Sequence, residues 1–324
     1  MMFTKNNQNA VSAIGEQALI QRINSWLQSV TLPPPQGIGD DCAVIHHKTA
    51  GSQIITTDSL TYGQHFDASV CAQDAGSKLI KRNLSDIAAM GGAPDHAVLA
   101  LLCGPDLAID WLEAFFCGIR ACCETYAVKI VGGDVSGLAP GHFSAVLTLI
   151  GSVETTKLRT GAAIGDWIYV TGSLGGSILE KHIHFTPRLK EGQWLAKQPD
   201  CSALMDLTDG LAKDLEALLP HQSCARIDIQ QIPIAEDALK RANSSGRMPM
   251  EHAFCDGEDY ELLFTINASS SPADFARRWQ HSFPHLRLSL IGQLAEASDK
   301  GATYIDQASN EALPWVHGFE HLKE

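Results

Sequence analysis

The sequence predicts an α/β or α+β chain of two domains, and three observations carry that prediction. β-Branched runs alternate with amphipathic runs in both halves, the apolar period lapses at Ser152–Lys157, and 324 residues suffice for two cores of ordinary size. The expected domains are residues 1–152 and 153–324. A hydrophobic fraction of 45% and a charged fraction of 19% are those of a soluble globular protein. The formal net charge of −13 opposes a nucleic-acid or anionic-membrane partner, although an acidic chain can hold a nucleotide when divalent cations lie between them. Nine cysteines without CxxC spacing, the absence of a long apolar run and the absence of a secretory pattern point to a cytoplasmic chain with reduced thiols.

Each element follows from local pattern. Ile14, Leu19, Ile20, Ile23 and Leu27 recur at helical spacing. Pro33-Pro34-Pro35 then stiffens the path to Gly37-Ile38-Gly39-Asp40-Asp41, a glycine-flanked acidic turn that runs into the strand Ala43–Ile45. A second strand, Ile54–Leu60, is read as having Asp58 at its C-terminal end, with His65 in the loop beyond. Ala75–Met90 predicts a helix whose stripe is Leu79, Ile80, Leu84, Ile87 and Ala88, stopped by Gly91-Gly92. Asn83, Ser85 and Asp86 are polar beside that stripe. A strand His96–Leu102, a helix Asp106–Tyr126 and a strand ending in Gly132-Gly133-Asp134 follow. His142–Val153 alternates as one strand of an antiparallel pair.

In the second half, Gly165–Gly172 is a strand bounded by turns, Gly175-Gly176 starts a short helix, and His182–Arg188 is irregular. Ala203–Leu211 reads as a strand breaking at an acid-rich turn, and Thr208 or Asp209 suits the N-cap of a helix Leu211–Leu219. Strands Ala225–Ile229 and Glu261–Thr265 follow, the latter after Asp256-Gly257-Glu258-Asp259-Tyr260.

The acids suggest chemistry. Asp41, Asp58, Asp86, Asp134, Asp206 and Asp209 fall at strand ends, turns or polar helix edges, and none is expected to be paired by a Lys or Arg close in sequence. A single such Asp is an ordinary solvated turn residue. Six of them, several beside Gly or Thr, fit a hard cation such as Mg²⁺, which takes carboxylate, hydroxyl, water and phosphate oxygens. Thr56, Thr57 and Thr208 supply hydroxyls nearby. Gly132-Gly133-Asp134 after an apolar run would turn backbone N–H groups toward a phosphate. The Walker A, GxGxxG, kinase catalytic-loop and HExxH patterns are all absent.

Together the stretches Gly37–Ala43, Thr57–Leu60, Asn83–Gly91, Gly132–Asp134, Gly165–Gly172, Asp206–Leu211 and Gly257–Leu262 resemble the thiamine-monophosphate kinase family, in order and spacing, from about Gly15 to Phe319. The resemblance implies an aminoimidazole ribonucleotide synthetase-like architecture, with an N-terminal mixed sheet plus helices and a C-terminal α/β domain. It implies a homodimer that uses ATP and Mg²⁺ to phosphorylate thiamine monophosphate to thiamine diphosphate. By position it implies Asp41, Thr56, Thr57, Asp58, Asp86, Asp134, Asp206 and Asp209 for the metal. Gly133, Asp134, Arg159 and Thr208 match nucleotide positions, and His65, Glu258 and Phe319 match thiamine-phosphate positions. Thr208 stands where serine is usual, and the segment after Gly176 is shorter than usual. Two other activities stay open at this point, namely the ATP-driven ring closure of the wider superfamily and non-catalytic binding of nucleotide or thiamine phosphate.

Overall fold

The computed structural model describes residues 51–104, 106–297 and 301–320, together with residue 35 and residues 43–46. The expected opening helix and the Gly37–Asp41 turn lie outside these residues.

Five strands form the first sheet: β1 (Ala43–His46), β2 (Ser52–Thr61), β3 (Ala93–Cys103), β4 (Lys129–Gly137) and β5 (Phe143–Val153), in the order β1-β2-β5-β3-β4. All neighbours are antiparallel except β3 and β4. A parallel pair needs a crossover. Between β2 and β3 lies α1 (Ala72–Ala89), and α2 (Ile109–Tyr126) makes the crossover from β3 to β4. Strand alternation decides which face the helices cover. Ala145, Leu147 and Leu149 are buried in one core with Leu79, Leu84 and Phe115 of the two helices. Ile55, Val98, Val146 and Ile150 point the other way, and among the described residues no helix covers them.

The second sheet comprises β6 (Trp167–Thr171), β7 (Cys201–Asp206), β8 (Ser223–Ile227), β9 (Leu262–Ile266), β10 (Leu288–Glu296) and β11 (Tyr304–Asp306), in the order β11-β8-β10-β6-β9-β7. Its helices are α3 (Lys181–His184), α4 (Leu189–Ala196), α5 (Leu211–Asp214), α6 (Glu236–Ser245), α7 (Pro249–Cys255) and α8 (Pro272–Ser282). Tyr169, Leu204 and Phe264 join the core that contains α1, together with Phe275 and Trp279 of α8. Ile168, Val170, Met205 and Leu263 face a second core with Leu211 and Phe254 of α5 and α7.

Helix α1 therefore lies between the two sheets. It touches β2 and β5 on one side, α4 and β7 on the other. Its burial extends well beyond the expected stripe, to Lys78, Asn83 and Ser85. The crossing with α2 is made by glycines. A Cβ on Gly76 would stand 2.0 Å from the Phe115 carbonyl oxygen, and one on Gly118 would stand 1.9 Å from that of Gln73.

Several expected boundaries move, each for a physical reason. β2 continues past Asp58 because Ser59, Leu60 and Thr61 pair with Val146, Ala145 and Ser144. β4 runs through Gly132-Gly133-Asp134 to Gly137 instead of turning there. Gly133 lies so close to β3 that a Cβ would meet the Leu99 oxygen at 1.9 Å. α2 starts at Ile109, since the Asp106 carboxylate accepts the Gly141 N–H instead of entering the helix. β7 stops at Asp206, and α5 ends at Asp214, followed by a tighter turn at Leu215–Leu218. His182 sits in the short α3 and is buried. The amphipathic α6 and α8 and the strands β10 and β11 were not anticipated.

Because Gly118 meets backbone, which yields less than a side chain, Gly118→Ala should lower stability by roughly 1–3 kcal/mol, the usual cost of overpacking. A denaturant midpoint indistinguishable from wild type would contradict this crossing.

Candidate active site

A cavity of about 590 Å³ opens where β2, α1, the turn after β7 and the 256–260 loop meet near residue 319. Thr56, Thr57, Asp58, His65, Asp86, Arg159, Thr208, Asp209, Glu258 and Phe319 all line it. Residues up to 263 positions apart in the chain (319 − 56) thus share one wall system. Asp206 is buried at the end of β7 and accepts the Ser85 hydroxyl of α1 at 2.5 Å. Gly133 and Asp134 are elsewhere, on edge strand β4 beside Phe116, Leu99 and Leu101. Asp41 lies outside the described residues.

The acids are held by partners that sequence proximity concealed. Asp58 receives the guanidinium fork of Arg82, Nε to Oδ2 at 2.8 Å and Nη2 to Oδ1 at 2.9 Å, and the Ser59 N–H at 3.0 Å. Asp86, one turn after Arg82, accepts the Thr56 hydroxyl across the helix–sheet contact. Asp209 pairs with Lys213 at 2.7 Å, an i,i+4 contact made once α5 forms. The expected lack of a Lys or Arg close in sequence therefore fails at Asp209, whereas it holds for Asp58, whose partner Arg82 comes from α1. No side-chain cap from Thr208 or Asp209 forms at α5. The buried Asp214 reaches back and accepts both the Thr208 and Asp209 N–H groups, at 2.9 and 3.0 Å.

A second network centres on Glu258. Lys78, with no exposed side-chain surface, approaches Glu258 Oε1 to 2.9 Å and donates to the His65 carbonyl at 2.9 Å, with His182 Nδ1 also at 2.9 Å. Tyr260 donates its hydroxyl to Glu258 at 2.9 Å and stacks on Phe185 with centroids 3.8 Å apart. Burial disfavours ionised Glu258, but His182, Lys78 and Arg82 outweigh it and hold the carboxyl at about 2. Glu258 and Tyr260 both have positive φ, 53° and 50°. That conformation costs non-glycine residues energy, and it occurs here where side chains must aim into a cavity. The neighbouring Asp259 is pushed up to about 7 by burial, against Lys181 and the Gly175 N–H.

His65 is buried, its Nδ1 accepting the Thr61 N–H at 2.9 Å. Phe319 is half exposed and tethered by its backbone, its N–H on the Asp209 carbonyl and its carbonyl on Lys213. Trp315 packs on Phe254 in the second core instead of lining the cavity.

Sequence reasoning missed Lys78, Arg82, His182 and Tyr260. Lys78 and Arg82 did leave a signal, since they sit four residues apart beside the apolar stripe of a helix that turns out to be enclosed. The others come from contacts distant in sequence.

The donor chemistry fits a hard divalent cation. Carboxylate and hydroxyl oxygens surround one cavity, and burial raises Asp58 and Asp206 above the ordinary carboxylate range, the charge of Asp58 adding to the rise at Asp206. Desolvated negative charge of that kind is relieved by a cation. Among the described residues, however, no three carboxylate, imidazole or thiol groups converge on one point.

Residues 39–153 match the family model described as AIR synthase related protein, N-terminal domain. A thiamine-monophosphate kinase of Rhodopirellula baltica is 37% identical over 258 residues, covering 76% of this chain and 81% of that protein. The thiamine-monophosphate kinase of Salmonella typhimurium is 33% identical over 334 positions, covering 96% of this chain and 99% of its own. Among solved structures, AaThiL complexed with AMPPCP and TMP is 27% identical, with a TM-score of 0.79 over 96% of this chain and 98% of that one. Likeness that runs through both sheets, and so through every wall of the cavity, leaves one conclusion: the chain belongs to the thiamine-monophosphate kinase family.

Proposed function

We propose that this chain transfers the γ-phosphoryl group of ATP to the phosphate of thiamine monophosphate, giving thiamine diphosphate and ADP. One observation carries the reading: family motifs far apart in sequence converge on a single acid-rimmed cavity. The likeness to AaThiL complexed with AMPPCP and TMP supports the same pair of substrates.

The acceptor is itself a phosphate and is anionic at neutral pH, so no side-chain base is required. What the reaction needs is alignment and neutralisation of charge. Mg²⁺, when bound, would supply that neutralisation, and its proposed holders are Asp41, Thr56, Thr57, Asp58, Asp86, Asp134, Asp206 and Asp209. Arg159 adds a permanent positive charge at the cavity wall for the transferring group. Glu258 remains ionised and so can face the cationic thiazolium ring, with His65 and Phe319 completing the acceptor side. Thr208 is the proposed nucleotide contact at the turn after β7.

Gly133 and Asp134 are proposed nucleotide contacts as well, brought to the site by a second copy. The uncovered apolar face of the first sheet, with Ile55, Val98, Val146 and Ile150, supports a homodimer. Residues 1–152 are proposed as the nucleotide-binding and dimerisation domain, and residues 153–324 as the domain that completes the site. Among the described residues no helix is long and apolar enough to cross a membrane, which is compatible with the proposed cytoplasmic location.

Purified chain with ATP, Mg²⁺ and thiamine monophosphate should form thiamine diphosphate and ADP in equal amounts; ADP without thiamine diphosphate would overturn the acceptor. Asp58→Asn and Asp86→Asn keep an acceptor for Arg82 and Thr56, so both variants should stay folded. Each should lose roughly a hundredfold or more in kcat, on the scale of removing one electrostatic group from a preorganised site. Near-wild-type turnover in either would remove that acid from the machinery. Glu258 titrates lower folded, about 2, than its ordinary 4.5. It therefore stabilises the fold above about pH 4.5, and that contribution is lost as pH falls toward 2. Glu258→Gln should flatten this part of the acid unfolding curve, and an unchanged acid limb would show that Glu258 is not so held.

A further inference from the structure

Arg82 precedes the Asn83–Gly91 motif and belongs to none of the residue sets assigned above, yet it is bonded to Asp58 and stands one turn before Asp86 on the cavity wall. Its side chain is 12% exposed, and both of its bonded nitrogens go to Asp58. Its remaining nitrogen, Nη1, is buried without a hydrogen-bond partner. A carboxylate offers about four acceptor positions. Arg82 takes two of those on Asp58 and the Ser59 N–H takes a third. A divalent cation needs bare oxygen lone pairs at short range, so little of Asp58 is left to it. The guanidinium also carries a permanent positive charge at the place such a cation would enter.

We propose that Arg82 is a built-in counter-ion and positioning residue for the cluster: it fixes Asp58 in the cavity, and a divalent cation binds there by displacing it. The proposal rests on the reading of Asp58 as a cation ligand. It explains why an arginine, whose planar fork matches a carboxylate, stands on an enclosed helix where a neutral residue would be less costly to bury.

The test is calorimetric titration of Mn²⁺ and of Mg²⁺ into the full chain without nucleotide. Arg82→Met should tighten binding by roughly tenfold or more, a factor usual for coupling between two ligands. Arg82→Lys keeps the charge and loses the fork, and should tighten it less. Asp58→Asn should weaken binding. If Asp58→Asn leaves affinity unchanged, the ligand reading of Asp58 fails and the proposal with it. If Asp58→Asn weakens binding while a folded Arg82→Met does not tighten it, the proposal alone fails. Nuclear magnetic resonance of the wild-type chain avoids any dependence on the variant's folding. The Arg82 Nε–H signal, assigned by its loss in Arg82→Lys, should shift and exchange faster with water as Mg²⁺ is added. A signal that stays unmoved at saturating Mg²⁺ would overturn the displacement.

Discussion

Enclosure of α1 is the constraint on which the remainder of the site depends. A helix with one solvated face can carry Lys or Arg at no cost, but α1 is covered by a sheet on each side. Lys78 and Arg82 point into that enclosure, where an unmatched charge would be penalised heavily. Each is matched by one carboxylate from a different half of the chain, Arg82 by Asp58 of β2 and Lys78 by Glu258 of the loop before β9. Two ion pairs on successive turns thereby fix the position of both sheets relative to one helix. The cavity is the gap left between them.

The same geometry explains the strained loop. Glu258 can reach Lys78 only if the chain turns sharply between α7 and β9, and positive φ at Glu258 and Tyr260 provides that turn. Two backbone bonds hold it, from the Glu258 N–H to the Thr208 carbonyl at 2.7 Å and from the Tyr260 N–H to that of Leu207 at 2.8 Å. Residue 319 is hung on the next carbonyl, Asp209. Three successive carbonyls after β7 therefore brace acceptor-side residues that lie some fifty and one hundred and ten positions later in the chain (258 − 208, 319 − 209). This coupling makes Thr208 and Asp209 structural as well as chemical.

The sequence made the fold class legible because period and β-branching are local signals. β2, β3, β5 and α1 fall within a few residues of their expected ends. Ends went wrong where a distant group decided them. Pairing with β5 extends β2, approach to Leu99 keeps Gly133 inside β4, and Asp214 replaces the expected cap of α5. At the site, the acids and the thiamine-side residues could be named from motif order. Their partners could not, since Lys78, Arg82 and His182 meet Glu258 and Asp58 only after two sheets close on α1. Gly133 and Asp134 are the remaining separation, as their strand is an edge of the first sheet while the cavity opens beside β2.

A cavity lined by acids is a poor receptor for two phosphate-bearing molecules unless positive charge enters with them. The chain's own cations are matched by its acids: Arg82 by Asp58, Arg241 and Arg247 by Asp256, and, behind the wall, Lys78 by Glu258 and Lys213 by Asp209. Arg159 also acts on the buried Asp206. Each pair is close to neutral, whereas Asp86 and Asp206 face hydroxyls, which donate hydrogen bonds but bring no charge. Burial still raises Asp206 above the ordinary carboxylate range against the Ser85 hydroxyl and Arg159, and a cation from solution would relieve it. On the proposed reaction, cation and nucleotide should then bind as mutually dependent ligands, because the cation neutralises acids that would otherwise repel the phosphates, and the phosphates supply further oxygens to the cation.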